Sequence, residues 1–205
     1  MRSPMELILI RHALPVSMQS GDGSPVDPHL APEGVAQAEA LAHWWGGRRL
    51  DRLYASPLRR ARETAAPLAR AVGLEVELEP GVVEFDRDAG EYIPLEDLKR
   101  NDYPRWKAFV DGALDEVVDL VAFRDTVLGA LERIIADNAG RRVAVVCHGG
   151  VINTYAAKVL GLEPRLFFDP YYTSLNRVLA AGSGERNIKS LNETPHLEAL
   201  DEGLQ

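Results

Sequence analysis

The chain is short of cysteine and of positive charge. Its 205 residues include a single cysteine, Cys147, so no disulfide can form within the chain. Acidic residues outnumber basic ones by 31 to 23, and the formal net charge is −8 at pH 7. This balance argues against nucleic acid and against an anionic membrane surface as partners, and we expect neither. A small anionic ligand is compatible with it, because a local group of Arg and His can outweigh the overall charge.

Long apolar runs are lacking as well. No stretch approaches the ~20 apolar residues of a transmembrane helix, and the apolar run in MRSPMELILIRH is too short for a signal peptide. We therefore expect a cytoplasmic protein with one domain over residues 1–205, of ordinary globular composition. Arg outnumbers Lys and Ala is abundant, which we interpret as the coding bias of a GC-rich bacterial genome.

Predicted strands and helices alternate along the chain. MELILIRH and RRVAVVCHGG each contain an aliphatic run that predicts a strand covered on both faces. Helices are predicted over residues 32–45, 56–73 and 121–138, the second with Ser56 as N-cap and with Pro67 as a kink or an end. The face of the first helix that we expect to be buried carries Val35, Ala38, Leu41, Ala42 and Trp45. The alternation predicts an α/β fold, a three-layer α/β/α sandwich around a mostly parallel sheet.

Charged groups follow the two clearest strands. Arg11 and His12 come at the end of one, and His148 follows the other. The carboxyl ends of parallel strands meet at one edge of a sheet, where open α/β sheets bind ligands, so these side chains are expected to converge. Arg60 lies one helical turn after Ser56, which ends a third predicted strand, and reaches the same edge. Two Arg and two His suit a dianion, most simply a phosphoryl group.

Three segments of this chain resemble the signatures of a known family. LIRHALP, YASPLRRARETA and VVCHGGVI are similar, in this order, to the three motifs of the histidine phosphatase (phosphoglycerate mutase-like) superfamily. DPHLAPEGVAQAEAL and LNETPHL are similar to further stretches of that family, so the resemblance spans nearly the whole chain. It implies a phosphoglycerate mutase-like fold and phosphoryl transfer through a phosphohistidine.

The resemblance also implies a role for each matching residue. His12 is then the nucleophile that is transiently phosphorylated, and Glu84, in GVVEFDRD, is the proton donor. His148 is expected both to take part in catalysis and to bind phosphate. The groups expected to bind the phosphoryl oxygens are Arg11, Arg60, His148 and the amide of Gly149. We expect neither a metal nor a cofactor, because the Arg and His charges serve in their place.

The chain also departs from the family pattern. Ala13 stands where the family usually has Gly, and ALPVSM lacks the usual hydroxyl and amide residues, for which Ser17 is the nearest replacement. After Glu84 the sequence FDRDAGEYIP differs from the family, which leaves Asp86 and Glu91 as alternative proton donors.

Residues 88–115 are polar and aromatic with short helical patterns, and we interpret them as an insertion or lid. Arg87, Tyr92 and Arg105 are candidates for the substrate mouth. Cys147 is interpreted as a small buried strand residue. A thiol phosphatase would need Arg six positions later, where the chain has Asn153.

The expected function is that of a metal-independent phosphomonoesterase, a phosphoric monoester hydrolase of the histidine acid phosphatase type. Its expected partner is a small phosphorylated substrate or inorganic phosphate, and a homodimer is left open. A phosphoglycerate mutase-type phosphotransferase is the first alternative. Hydrolysis is favoured over it because residues 88–115 lack the dense basic residues that a second phosphate would need. A phospho-ligand binding module without turnover is the second alternative, motivated by ALPVSM.

Overall fold

A six-stranded sheet forms the centre of the part of the protein that the computed structural model describes, which is residues 4–110, 119–163 and 165–198. In chain order the strands are β1 (Met5–Arg11), β2 (Met18–Gln19), β3 (Arg52–Ala55), β4 (Val76–Leu78), β5 (Glu91–Tyr92), β6 (Arg142–Cys147), β7 (Leu175–Ala180) and β8 (Arg186–Glu193). The order in the sheet is β4-β3-β6-β1-β7-β8, and β2 pairs with β5 separately. The strands from β4 to β1 run parallel, whereas β7 is antiparallel to β1, and β8 to β7.

Helices connect the parallel strands, and two short helices lie in the predicted lid or insertion. In chain order they are α1 (Pro32–Trp45), α2 (Arg59–Val72), α3 (Leu95–Asn101), α4 (Tyr103–Val110), α5 (Leu120–Asp137) and α6 (Gly149–Leu160), and a short 3-10 turn covers Pro80–Val82. None of the helices in the described ranges combines the length and the apolar character needed to cross a membrane.

Side chains of β1 alternate between two cores. Ile8 and Ile10 pack with α1 and α2, whereas Leu7 and Leu9 pack with α5 and α6. This is the period of a strand that is covered on both faces. Helices therefore lie on both sides of the sheet, and the predicted three-layer α/β/α sandwich around a mostly parallel sheet is confirmed.

The start of α2 differs from the prediction. The helix begins at Arg59, with Leu58 in extended conformation at its N-cap, so the prediction of Ser56 as the N-cap was wrong. The carboxylate of Asp27 instead accepts hydrogen bonds from the Arg59 backbone N–H at 2.8 and 3.0 Å. Asp27, which is distant in sequence, thus accepts from the first backbone N–H of α2 in place of a local N-cap side chain.

Two further features of the helices differ from the prediction. α2 does not end at Pro67 but continues to Val72, because the fixed φ of proline is helical and the lost hydrogen bond is offset by a buried apolar face, whereas a kink at Pro67 stays a prediction. Val35 in α1 is 50% exposed, and Gly34 is buried in its place. A Cβ on Gly34 would lie 2.0 Å from the carbonyl oxygen of Leu14, so only glycine lets α1 approach the loop after β1.

The candidate lid contains short secondary-structure elements. Its described part, up to residue 110, includes β5, α3 and α4, and residues 111–118 of the predicted lid lie outside the described residues. Met18 of β2 pairs with Tyr92 of β5, which connects the lid to the loop that follows β1. The assignment of one domain to residues 1–205 stays a prediction.

Candidate active site

The ends of β1 and β6 bring two histidines together. Arg11 pairs with Cys147 in the parallel register, and the His12 backbone N–H continues the ladder to the Cys147 carbonyl at 2.9 Å. The rings of His12 and His148, one residue further along each chain, have centroids 5.1 Å apart. Both side chains are buried. The convergence expected at this sheet edge is therefore present.

One hydrogen bond sets the tautomer of His12. Its Nδ1 lies 2.8 Å from the carbonyl oxygen of Ala13, which can only accept, so Nδ1 carries the proton of the neutral ring. The lone pair is then on Nε2. The loop itself is held by Thr64, whose Oγ1 accepts from the Ala13 N–H at 2.9 Å and donates to the Arg60 carbonyl at 2.7 Å. Ala13, where the family usually has Gly, is accommodated in this loop.

His148 is held by the serine that ends the neighbouring strand. Its Nε2 lies 2.8 Å from Ser56 Oγ. Ser56 Oγ accepts from the Leu58 N–H at 3.3 Å, which leaves the serine proton to be donated to His148. The neutral ring then carries its own proton on Nδ1, a buried atom without a hydrogen-bond partner among the residues that the structure describes.

Two buried arginines flank the histidines, and each is held on its outer side. Nη1 of Arg11 donates to the Pro170 carbonyl at 2.5 Å and to Asp169 Oδ1 at 3.2 Å, and the guanidinium stacks 3.9 Å above the Tyr172 ring. Nη2 of Arg60 donates to Asp86 Oδ1 at 2.8 Å. Nε of both arginines is buried and finds no acceptor in the described part of the chain. Each guanidinium thus keeps an unused donor.

The surroundings keep both histidines neutral. Burial lowers the pKa of His12 well below its usual value, and the charges of Arg60 and Arg11 lower it further. The pKa of His148 is lowered in the same way, first by burial and then by Arg60. A neutral imidazole at pH 7 has the free lone pair that a nucleophile needs.

Glu84 is the buried carboxyl group of this site. Its Oε2 accepts from the Gly150 N–H at 2.8 Å, and its Oε1 accepts from the Phe85 N–H at 3.2 Å. Burial raises the pKa of Glu84 to about 7, and the negative charge of Asp86 adds to the rise. At neutral pH this carboxyl group therefore exchanges a proton readily.

The alternative proton donors have different surroundings. Asp86 is paired with Arg60 at 2.8 Å, and Glu91 is paired with Arg105 at 2.5 Å. Each of these two carboxylates is therefore engaged by a guanidinium group. Glu84 has no such ion pair among the described residues, and its burial raises its pKa.

A cavity of about 400 Å³ opens onto these groups. The predicted site residues that line it are Arg11, His12, Arg60, Glu84 and Gly149, and Tyr92 and Arg105 of the lid also line it. His148 is fully buried behind this lining. Ser17 is exposed and is not part of the lining, so the structure does not bring its hydroxyl to the site. The hydroxyl groups near the histidines belong to Thr64 and Ser56 instead.

Sequence reasoning missed the segment between α6 and β7. Phe167, Phe168 and Asp169 line the cavity, and Tyr172 lies with its ring centroid 5.8 Å from that of His12. The available signal was the density of aromatic residues in RLFFDPYYT, just before a predicted strand. Within the described residues, no three His, Cys, Asp or Glu side chains are grouped as metal ligands.

Comparison with known proteins supplies the family. The family model of the histidine phosphatase superfamily (branch 1) matches residues 7–194. Phosphoserine phosphatase 1 of Hydrogenobacter thermophilus is 29% identical over 206 residues, covering 94% of each chain. A probable phosphoglycerate mutase of Yersinia enterocolitica is 27% identical over 220 residues, covering 97% of this chain and 98% of its own. A crystal structure of a mutant phosphoserine phosphatase from Entamoeba histolytica in complex with phosphoserine has a TM-score of 0.72 at 27% identity, covering 94% of this chain and 99% of that one.

This chain belongs to the histidine phosphatase superfamily, since the family model covers nearly all of it. The resemblance of its three motifs to that family is thereby confirmed. Its relatives include a phosphatase and a probable mutase. The chain is therefore an enzyme of the phosphatase and mutase type that this superfamily contains.

Proposed function

We propose that this chain hydrolyses phosphate monoesters of small metabolites through a phosphohistidine on His12, without a metal ion. The observation that carries the proposal is the pair of buried imidazoles, 5.1 Å apart, beside two buried arginines. A neutral imidazole is a good nucleophile, and guanidinium groups stabilise the charge on a phosphoryl group in transfer. The relatives named phosphoserine phosphatase support hydrolysis of a small phosphorylated metabolite.

The phosphoryl group is bound by donors that have no partner within the described residues. These are Nε of Arg11, Nε of Arg60 and Nδ1 of His148. A buried donor without a partner costs about 1–3 kcal/mol, so a dianion that accepts from them is stabilised. Gly149 lies in the first turn of α6, where the backbone N–H groups and the helix dipole favour an anion.

The reaction has two steps. In the first, the Nε2 lone pair of His12 forms a bond to phosphorus, the bond from phosphorus to the ester oxygen breaks, and the leaving alkoxide takes the proton of Glu84. In the second, the Glu84 carboxylate takes a proton from water, whose oxygen attacks phosphorus. The bond between phosphorus and Nε2 then breaks, and inorganic phosphate leaves. Glu84 at a pKa of about 7 can serve both steps.

A mutase would use the same first step and transfer the phosphoryl group to a second phosphorylated substrate. That reaction needs cations for a second phosphate. The further arginine of the cavity, Arg105, is already paired with Glu91. This pairing favours water as the acceptor. The binding-module alternative has less support, because the residues that we propose as nucleophile, phosphate donors and proton donor all lie at or beside the same cavity.

The test is phosphate release from a panel of phosphomonoesters in EDTA. Wild type is compared with His12→Ala and with His43→Ala, a surface control. The assay is repeated with 3-phosphoglycerate and 2,3-bisphosphoglycerate. Wild type turning over a radiolabelled ester is also quenched in alkaline detergent, because phosphohistidine is labile in acid, and is examined for label on histidine.

Each result of this assay has a defined meaning. Release in EDTA that is lost in His12→Ala alone, together with label on His12, supports the proposal. Loss of activity in EDTA overturns metal independence. Isomerisation of 3-phosphoglycerate without net release establishes the mutase, and binding of esters without either reaction establishes the binding module.

A further inference from the structure

Apart from its arginines and carboxyl groups, the cavity is lined mainly by apolar and aromatic side chains. These include Ile93, Leu95, Leu98, Trp106, Phe167 and Phe168. They come from the lid and from the segment between α6 and β7. Apolar surface that leaves water on contact with such a lining contributes about 25 cal/mol per Å² to binding. The part of the ester that is not phosphate thus meets an apolar wall.

The aromatic part of this wall is held in place by Asn153. Its Nδ2 donates to the carbonyls of Gly149 and Phe168, each at 2.9 Å. Its Oδ1 accepts from the backbone N–H groups of Phe167 at 2.9 Å and Phe168 at 3.2 Å. A single buried amide therefore fastens the segment to the first turn of α6, at the phosphate end of the cavity. The apolar wall is a built surface with a fixed position.

The cations of the lining are already paired. Arg11 is paired with Asp169 at 3.2 Å, Arg60 with Asp86 at 2.8 Å, and Arg105 with Glu91 at 2.5 Å. Among the lining residues that the structure describes, each arginine thus has an acidic partner, and Glu84 adds a further carboxyl group.

Lys99 lies outside the lining, although its charge acts on Asp169. Its ammonium group stacks over Trp106 at 4.8 Å from the ring centroid. Once phosphate occupies Arg11 and Arg60, a second anionic group would meet carboxylates and apolar surface. Like charges in a desolvated site repel strongly.

We infer that the substrate is a phosphate monoester of a neutral, apolar alcohol, aromatic or branched aliphatic, and that a carboxylate on the alcohol is selected against. The inference rests on the proposed function, since it concerns the alcohol part of the same ester. It separates this chain from relatives that are named for phosphoserine, whose alcohol carries a carboxylate.

The first test compares phenyl phosphate with 3-carboxyphenyl phosphate, two esters that differ by one carboxylate remote from the reacting oxygen. We expect kcat/KM to be about tenfold or more higher for phenyl phosphate. Equal values, or a preference for the carboxylate, would overturn the inference. Release from other esters of the panel but from neither of these two would also overturn the inference, whereas no release from any ester means that the proposed function fails. In that case the inference is tested by the dissociation constants of phenylphosphonate and its 3-carboxy analogue, since binding needs no turnover. We expect phenylphosphonate to bind about tenfold or more tightly, and equal binding would overturn the inference.

The second test removes the acidic partner of Arg105. Glu91→Gln removes the charge that is paired with Arg105, so the penalty on 3-carboxyphenyl phosphate should fall about fivefold relative to phenyl phosphate. Glu39→Gln, which breaks the exposed pair with Arg70, is the matched control and should leave the ratio unchanged. A ratio that is the same in Glu91→Gln and in wild type would overturn the role of the paired arginine.

The third test removes part of the apolar wall. Trp106→Ala should lower kcat/KM for phenyl phosphate about tenfold, with a much smaller effect on methyl phosphate. Tyr171→Ala, an aromatic side chain that is 62% exposed and outside the lining, is the control for loss of a surface ring. Equal losses on both esters in Trp106→Ala would contradict a role in binding the alcohol.

Discussion

The carboxyl group of Glu84 lies directly against the first turn of α6, because the backbone N–H of Gly150 donates to its Oε2 at 2.8 Å. A Cβ on Gly150 would lie 2.3 Å from Glu84 Oε1 and 2.7 Å from a ring carbon of Phe85. Glycine at this position is therefore a condition for the position of the proposed proton donor. The turn that we propose to bind phosphate and the proposed acid are coupled through this one contact.

Gly150→Ala is expected to displace Glu84 while leaving His12 in place. Phosphomonoesterase kcat should fall by about 10²-fold, since general acid catalysis contributes on this order. Gly129→Ala is the control, because Gly129 is an exposed position of α5 where a Cβ meets only Arg133 Nη1 at 3.7 Å, and its kcat should not fall. Steady-state kinetics with thermal unfolding of both proteins measures the difference. Equal losses in the two variants would contradict the proposed coupling.

The pH dependence of activity should follow Glu84. Its pKa is raised to about 7, so the acid is protonated below that pH and lost above it. We expect kcat/KM to fall on the alkaline side with a midpoint near this value. Glu84→Gln should lower kcat/KM about 10²-fold and remove the alkaline limb. A limb that persists in Glu84→Gln would assign it to another group.

The same group makes stability depend on pH. The folded protein binds the Glu84 proton more tightly than the unfolded chain, because burial raises the pKa from an ordinary 4.5 to about 7. This contribution is fully present below the unfolded pKa and is lost as the pH rises through the folded one. Urea unfolding should therefore show wild type losing stability between pH 5 and pH 8 relative to Glu84→Gln.

Part of this site could be predicted from local sequence signals. The bounds of α1, Pro32–Trp45, match the predicted 32–45, since an apolar period and a proline in the first turn are both local features. The approach of His12 and His148 followed from the rule that parallel strands end at one edge of the sheet. Neither prediction needed knowledge of distant contacts.

The residue pattern alone did not separate the three carboxyl groups, and the prediction of Glu84 came from the family resemblance. Glu84, Asp86 and Glu91 lie within eight positions, and each is an acidic residue in a loop or short strand. Their difference arises from partners far along the chain: Gly150 for the first, and arginines for the other two. The start of α2 could not be predicted for the same reason, because the Asp27 carboxylate that accepts from its first N–H comes from a distant loop. Distant contacts of this kind leave no pattern in a single sequence.

Asn153→Ala should destabilise the protein and loosen the aromatic wall. It leaves the N–H groups of Phe167 and Phe168 and two carbonyls without their buried partner, which costs about 1–3 kcal/mol in the free energy of unfolding. The KM for phenyl phosphate should rise more than kcat falls. Asn187→Ala, at an exposed position of β8, is the control. Urea unfolding and steady-state kinetics on both variants test this.

Cys147 should be inert in the folded protein. It is fully buried, and burial raises the pKa of its thiol above the usual value. The thiolate is the reactive form, so alkylation by iodoacetamide should be undetectable without denaturant and complete in urea. Cys147→Ser should retain the phosphohistidine. Inactivation by alkylation under native conditions would point to thiol chemistry at this site.

The position of β6 between β3 and β1 has a consequence for biogenesis. β1 and β3 are synthesised first but do not pair with each other. Each pairs with β6, which is synthesised later and ends at Cys147. Until β6 leaves the ribosome and inserts, both strands present open edges, the kind of surface through which nascent chains aggregate. Since His148 follows the inserted strand, phosphatase activity reports that this late insertion is complete. It therefore provides an assay for assembly of the sheet as well as for catalysis.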